Sequence, residues 1–336
     1  MTHPPSTSSS SARRTRRAGI ALGVATCLGL TAVAPVRAAD AWPARPVTFI
    51  VAAGAGSSVD VFARVLAERL QAALGQSFVV DPRPGGNGTI ATQLVARAKP
   101  DGYTFLFAGN SALVINPLMN RNLPFDIEKD FVAVAPVSYV PLALAVANGH
   151  PARSIQQLIA ASKNRETLFA TPGAASLSRL IGENLNTRAG TKFVNVSYPS
   201  GGAAQTDVIG GRVPLLIDGL GGIGPHARAG RLRLLAVSTA TRAKEFPDAP
   251  TLAEVIPGFV VPGINSLVAP AGTPAPILDR LNQEIRRITE TPAVVDRFAT
   301  LGGDAASGSR EEITKILQDQ RTLFRSLIES ANIKAD

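Results

Sequence analysis

The chain has 336 residues, with 34 Lys+Arg against 25 Asp+Glu, three His, one Cys and a formal charge of +9. That length makes one large domain or two of ordinary size, and 45% apolar against 18% charged residues excludes wholesale disorder. A single Cys excludes a disulfide framework and a Cys-based zinc site.

The charge is concentrated at the start. Residues 1–38 carry five Arg (Arg13, Arg14, Arg16, Arg17, Arg37) and no acid. The uncharged run Ala18–Ala34 follows, then Val36-Arg37-Ala38-Ala39, with small residues where a signal peptidase needs them. Basic, apolar and small-residue segments in this order predict a secretory signal over 1–38, cleaved near Ala38 or Ala39. The competing reading is a transmembrane anchor; the run is short for a span and diluted by Gly and Thr. Thr15-Arg16-Arg17-Ala18-Gly19-Ile20 leaves Sec and twin-arginine export both open. Thr26 before Cys27 matches a lipoprotein cleavage site poorly, so no lipid anchor is predicted. Cleavage would remove the only Cys and leave 29 basic and 25 acidic residues, a net of +4. No Lys/Arg run survives, and aromatic residues are 5% of the whole chain. Nucleic-acid binding needs a basic stripe, usually with stacking rings, so no nucleic-acid partner is predicted.

The rest alternates strands and helices. Val47–Ala53 is an apolar run of strand length, and Gly54-Ala55-Gly56-Ser57-Ser58 is a turn. A helix is predicted over Val59–Leu74, stopped by Gly75. Ser77–Val80 is a strand, 82–88 a loop, Thr89–Ala98 a helix and Tyr103–Ala108 a strand. This β-α-β-α-β order predicts a parallel sheet with helices on its faces. Leu142–Val146 is the next strand, and Ser154 with Gln157 reads as a capping box for a helix to Lys163. Leu168–Ala170 is a strand running into the turn Thr171–Ser176, and a helix with Leu177, Leu180, Ile181 and Leu185 on one face ends at Gly190. Phe193–Ser197 is a strand, Ser200-Gly201-Gly202 opens a helix over Ala203–Ile209, and Val213–Asp218 and Leu232–Ser238 are buried strands. Pro274–Thr289 and Ser309–Ala331 are long amphipathic helices, the second opened by the box Ser309/Glu312. One pattern occurs twice, at Gly54 and at Thr171: strand, small-residue turn with Ser, helix. Two such units suggest two lobes with a cleft between them.

An ordered set of short motifs runs through nearly the whole of this region. It includes Trp42-Pro43-Ala44-Arg45-Pro46-Val47, Asp60 with Ala63-Arg64, Leu74-Gly75-Gln76, Arg83-Pro84-Gly85-Gly86 with Gly88, Pro100-Asp101-Gly102-Tyr103-Thr104 and Ile115-Asn116-Pro117. Tyr198-Pro199-Ser200-Gly201-Gly202, Gly210-Gly211-Arg212-Val213, His226 with Ala229-Gly230, and the run Leu267–Pro274 continue it. With these motifs the chain resembles the tripartite tricarboxylate transporter substrate-binding proteins, the TctC or Bug receptors.

The resemblance implies an α/β, two-lobed periplasmic-binding-protein fold of type II, a Venus flytrap with two crossover segments. The crossings are expected near Ser138–Pro141 and Gly263–Ser266, where the β-α pattern breaks, giving lobe 1 as 40–139 plus 267–336 and lobe 2 as 140–266. It also implies a periplasmic, monomeric solute receptor for a di- or tricarboxylate, acidic amino acid or aromatic acid. Its partner would be a membrane permease of the tripartite tricarboxylate type, and no cofactor or metal is expected.

In the family, one strand–turn–helix unit per lobe holds the ligand carboxylate. The physics is that of a helix start, whose unpaired N–H groups and positive dipole end receive an anion without a metal. In the first turn the candidates are Gly56, Ser57 and Ser58, with Ser58 the expected helix cap; Asp60 is assigned to ordering the turn. Relatives often carry Pro-Pro-Gly-Gly here, and this chain does not. In the second turn they are Gly173, Ala174, Ala175, Ser176 and Arg179, the last placed for a bidentate carboxylate contact or for solvent. Asn110 and Ser111, ending a strand that faces the cleft, Ser200, Gly201, Gly202 and Ala203 at another helix start, and Asp218 at a strand end complete the set.

Two other functions are weighed against transport. A ligand-sensing subunit for a membrane kinase would look the same in sequence. An exported α/β hydrolase is disfavoured: there is no G-x-S-x-G elbow, P-loop or H-E-x-x-H motif, and His150 and His226 are the only histidines after the signal.

Overall fold

The computed structural model describes residues 42–333. The predicted signal over 1–38, with Cys27, lies outside the described residues.

The strands are β1 (Val47–Val51), β2 (Phe78–Pro82), β3 (Thr104–Gly109), β4 (Phe131–Val140), β5 (Leu142–Ala147), β6 (Thr167–Thr171), β7 (Phe193–Ser197), β8 (Leu215–Gly219), β9 (Leu232–Val237), β10 (Gly263–Pro270) and β11 (Asp304–Ala305). The helices are α1 (Ser58–Leu74), α2 (Thr89–Ala96), α3 (Asn116–Met119), α4 (Ile127–Asp130), α5 (Ile155–Lys163), α6 (Leu177–Ala189), α7 (Gly201–Ile209), α8 (Leu220–Arg228), α9 (Leu252–Val255), α10 (Ala275–Thr289), α11 (Pro292–Thr300) and α12 (Arg310–Ser330).

Two sheets result, ordered β11-β4-β10-β3-β1-β2 and β7-β6-β8-β5-β9. The predicted parallel core is present: β2 and β3 flank β1 in parallel, and β7 and β8 flank β6 in parallel. Neither sheet is wholly parallel, however. β10 enters the first antiparallel to β3 and β4, and β5 enters the second antiparallel to β8 and β9. Local pattern predicts only pairings within a β-α-β unit; β10 reaches the first sheet after the chain has built the whole of the second.

The crossings explain those strands. β4 ends at Val140 in one sheet and β5 begins at Leu142 in the other, so Pro141 alone carries the chain across. The return runs from Val261, whose N–H donates to Ser238 O at 2.9 Å, through Pro262 to Gly263, which pairs with Val140. The pattern breaks at 138–141 and 263–266 are thus the paired ends of two long strands. Proline suits both passages because it has no N–H for a ladder to miss.

Three apolar clusters hold the assembly. Phe49, Phe62, Phe105 and Phe298 pack α1 and α11 on the first sheet, and Val208, Leu216 and Ile223 pack α7 and α8 on the second. The third is common to both sheets: Ile50 and Leu106 from one, Leu144, Phe169 and Ile217 from the other, with Phe324 of α12 fully buried among them. The capping box Ser309/Glu312 opens α12 as predicted. That at Ser154 is one-sided. Ser154 caps Gln157 N, but Gln157 Oε1 accepts from Arg153 N instead of Ser154 N. Among the described residues no helix is long and apolar enough to cross a membrane.

Candidate functional site

The carboxyl ends of β1, β3, β6 and β8 open on one seam between the sheets, where open α/β sheets usually bind ligands. Four helix starts border it.

The first is that of α1. Gly56, at φ +75°, donates its N–H to Asp60 Oδ2 at 2.8 Å, and Arg64 Nε donates to the same oxygen at 3.0 Å. Asp60 therefore orders the turn, and it is buried. Ser57, not Ser58, is the cap, its Oγ accepting from Asp60 N at 3.3 Å. The chain turns into the helix one residue before the position that spacing suggests, which releases the Ser58 side chain. Ser58 instead lies against the start of α8. A Cβ on Gly219 would stand 2.8 Å from Ser58 Oγ, and one on Gly221 2.5 Å from Leu301 O. Glycine at 219 and 221 is what lets α8 approach α1.

The second is that of α6. Ser176 caps it through Arg179 N at 3.2 Å. Two groups from the first-sheet side reach its turn: Asn87 Oδ1 accepts from Ala175 N at 3.2 Å, and Ser111 Oγ from Leu177 N at 3.4 Å. Arg179 folds back on its own turn, donating to Ala174 O at 3.1 Å, with Nε 3.8 Å from Glu183 Oε1. Its side chain is only 12% exposed, so it is not a solvated surface arginine.

The third and fourth are α7 and α8. Ser200 caps α7 through Ala203 N. A Cβ on Gly201 would sit 2.5 Å from Asp218 Oδ2, whereas Gly202 faces open space. Asp218, at the end of β8, accepts from Gly219 N at 2.7 Å and from Gln205 Nε2 at 3.3 Å. Gln205 Oε1 in turn meets His226 Nε2 at 3.2 Å. Burial pushes the Asp218 carboxyl up to about 6, against the two hydrogen bonds that stabilise its anion. His226 is pushed down, mainly by burial and secondarily by Arg231.

Asn110 does not end a strand at the cleft surface. It is buried just beyond β3, with Oδ1 accepting from Ile264 N at 2.7 Å and Nδ2 donating to Gln320 of α12. Ser111 begins a π-helical turn over Ser111–Ile115, and it is Ser111 that reaches the seam. Among the described residues no cluster of three His, Cys, Asp or Glu could hold a metal ion.

A family model described as "Tripartite tricarboxylate transporter family receptor" (TctC) matches residues 62–333. The chain belongs to the TctC receptor family. This receptor is 58% identical over 321 residues to a UPF0065 protein of Bordetella bronchiseptica, covering 94% of this chain and 96% of that one. Among solved structures it is similar to R. palustris Rpa4515 with adipate, at a TM-score of 0.85 and 31% identity over 87% of this chain and 99% of that chain. It is also similar to MatC from Rhodopseudomonas palustris with bound malate, at a TM-score of 0.79 and 25% identity over 85% and 99%. TctC receptors are periplasmic binding proteins and not enzymes.

The seam of this TctC receptor also contains residues that sequence reasoning passed over. Gln205 is one turn inside α7, and only the folded chain puts its amide between Asp218 and His226. Asn87 lies within the Pro-Gly-Gly-x-Gly loop, where an Asn amid glycines is a signal for positive φ; its partner at 175 is 88 positions away.

Proposed function

We propose that this receptor binds a small di- or tricarboxylate in the inter-sheet seam and delivers it, with the lobes closed, to a tripartite tricarboxylate-type permease. Lobe 1 would be 40–140 plus 263–336 and lobe 2 141–262, the boundaries moving from 139/140 and 266/267 because Val140 and Gly263–Ser266 belong to strands of the first sheet; the protein would be exported by the segment over 1–38 and work as a monomer. One observation carries the reading: Ser58 at the start of α1 lies against Gly219 at the start of α8, and Asn87 and Ser111 reach the start of α6, so groups from the two sheets meet at helix starts. Each helix start contributes about 0.3–1 kcal/mol toward an anion, more when partly buried. Micromolar affinity needs about 8 kcal/mol, so hydroxyls and bridging water must add to it. Adipate and malate in the two similar structures support a carboxylate.

The direct contacts are assigned to Gly56, Ser57 and Ser58 on one side, and to Ser111, Gly173, Ala174, Ala175 and Ser176 on another. The 200–203 turn and Asp218 complete them. Arg179 is given the task of holding Ala174 O, and with it the shape of the second turn. Asp218, with its raised pKa, suits either a ligand donor such as a hydroxyl or, when protonated, a ligand carboxylate oxygen.

A thermal-shift screen of mono-, di- and tricarboxylates, acidic amino acids and aromatic acids tests the reading. A ligand at a hundred times its dissociation constant should add about 2.7 kcal/mol. Ser58→Ala should weaken binding of the best hit without lowering the melting temperature of the free protein. Absence of a shift with every carboxylate in the panel would overturn the proposal.

A further inference from the structure

We infer that Asn87 is the closure latch of this receptor, the side chain through which the first sheet's side grips the start of α6 when the lobes are shut. The inference rests on the two-lobed closing mechanism, not on the identity of the ligand.

The latch begins in the local sequence. Residues 85–88 all have positive φ: +119°, +56°, +53° and +92°. Three of them are Gly; the fourth is Asn87, the residue type whose short polar side chain best tolerates that conformation. The turn is braced from behind. Thr89 Oγ1 donates to Gly86 O at 2.6 Å, and Asn116 Nδ2 donates to Thr89 Oγ1 at 2.9 Å. Gly88 is packed so closely on Ala112 that a Cβ there would lie 2.5 Å from the Ala112 methyl. A stiff turn thus presents the Asn87 carboxamide.

The other half is fitted to it. Asn87 Oδ1 accepts from Ala175 N at 3.2 Å, and a Cβ on Gly173 would stand 2.5 Å from the same oxygen. Gly173 therefore leaves the space that Asn87 fills. Ser111 Oγ accepts from Leu177 N beside it. A neutral carbonyl oxygen at a helix start is a weaker partner than a carboxylate. Asn87 can hold the closed state in the absence of ligand without placing at the seam a negative charge that would repel an anionic ligand.

The test is hydrogen exchange, followed by mass spectrometry, on the unliganded wild-type protein, Asn87→Gly and Asn87→Asp. Asn87→Gly keeps the left-handed backbone and removes only the carboxamide. Exchange in peptides covering 173–178 should then rise about fivefold, the weight of one neutral hydrogen bond, while β5 and β8 stay as in wild type. Asn87→Asp places an anion at the same point and should slow exchange in 173–178 below wild type. The latch is overturned if Asn87→Gly leaves 173–178 unchanged, if its effect spreads equally over β5 and β8, or if Asn87→Asp exchanges as fast as Asn87→Gly. No ligand enters the measurement, so a carboxylate screen that fails would leave it standing.

Discussion

Asp218 shows how one residue's neighbours set its chemistry. Its carboxylate is crowded by Gly201, Gly222 and the Gln205 amide, and the loss of water there outweighs two hydrogen bonds. An acid that holds its proton more tightly when folded contributes stability where it is protonated and loses it as pH rises through the folded value. The window here runs from the ordinary 3.8 to about 6. Asp218→Asn mimics the protonated form at every pH. Its stability relative to wild type should be near zero at pH 4 and rise by about 2–3 kcal/mol at pH 7.5, read from urea midpoints. A difference that does not change with pH would mean that the carboxyl titrates normally. The sequence placed Asp218 at a strand end; that the carboxyl is desolvated depends on α7 and α8 folding over it.

At the scale of elements, the turn after β1 divides two tasks between adjacent serines. Ser57 caps α1, while Ser58 reaches α8. Ser57→Ala should cost about 1 kcal/mol in chemical denaturation. Ser58→Ala should stay within about 0.5 kcal/mol of wild type, as substitutions away from caps and cores do. Equal losses would contradict this division. Spacing alone put the cap at 58, because caps are decided by the φ/ψ of the turn, and two neighbouring Ser residues look alike to a periodicity argument. Most helices and parallel strands were legible to within one or two residues, since burial imprints a period of 3.6 or 2 on local sequence. β4, β10, β11, α8, α11 and the one-turn helices α3, α4 and α9 were not. β4 and β10 are strands whose partners lie far along the chain, and their apolar runs carry no alternation that separates strand from linker.

At the scale of the molecule, the core common to both sheets is the feature with the broadest consequence. α12 lays Phe324 into a cluster that includes Ile50 and Phe169. Phe324→Ala should cost about 3–5 kcal/mol. The wild type should unfold in one step, with fluorescence of the single Trp42, buried beside the first sheet, coinciding with far-UV circular dichroism. Separated transitions would show that the shared core does not couple the two sheets. By itself the sequence determined the α/β alternation, the small-residue turns ahead of α1, α6 and α7, and the family to which the ordered motifs point. These are local properties, each written within a short stretch of chain. Only the tertiary structure decided the antiparallel entry of β5 and β10, the return crossing at Pro262, the Asp218–Gln205–His226 chain and the meeting of Asn87 with Ala175. Each of these joins groups that no local period relates, and close packing of two sheets against one another is what brings them within hydrogen-bond reach.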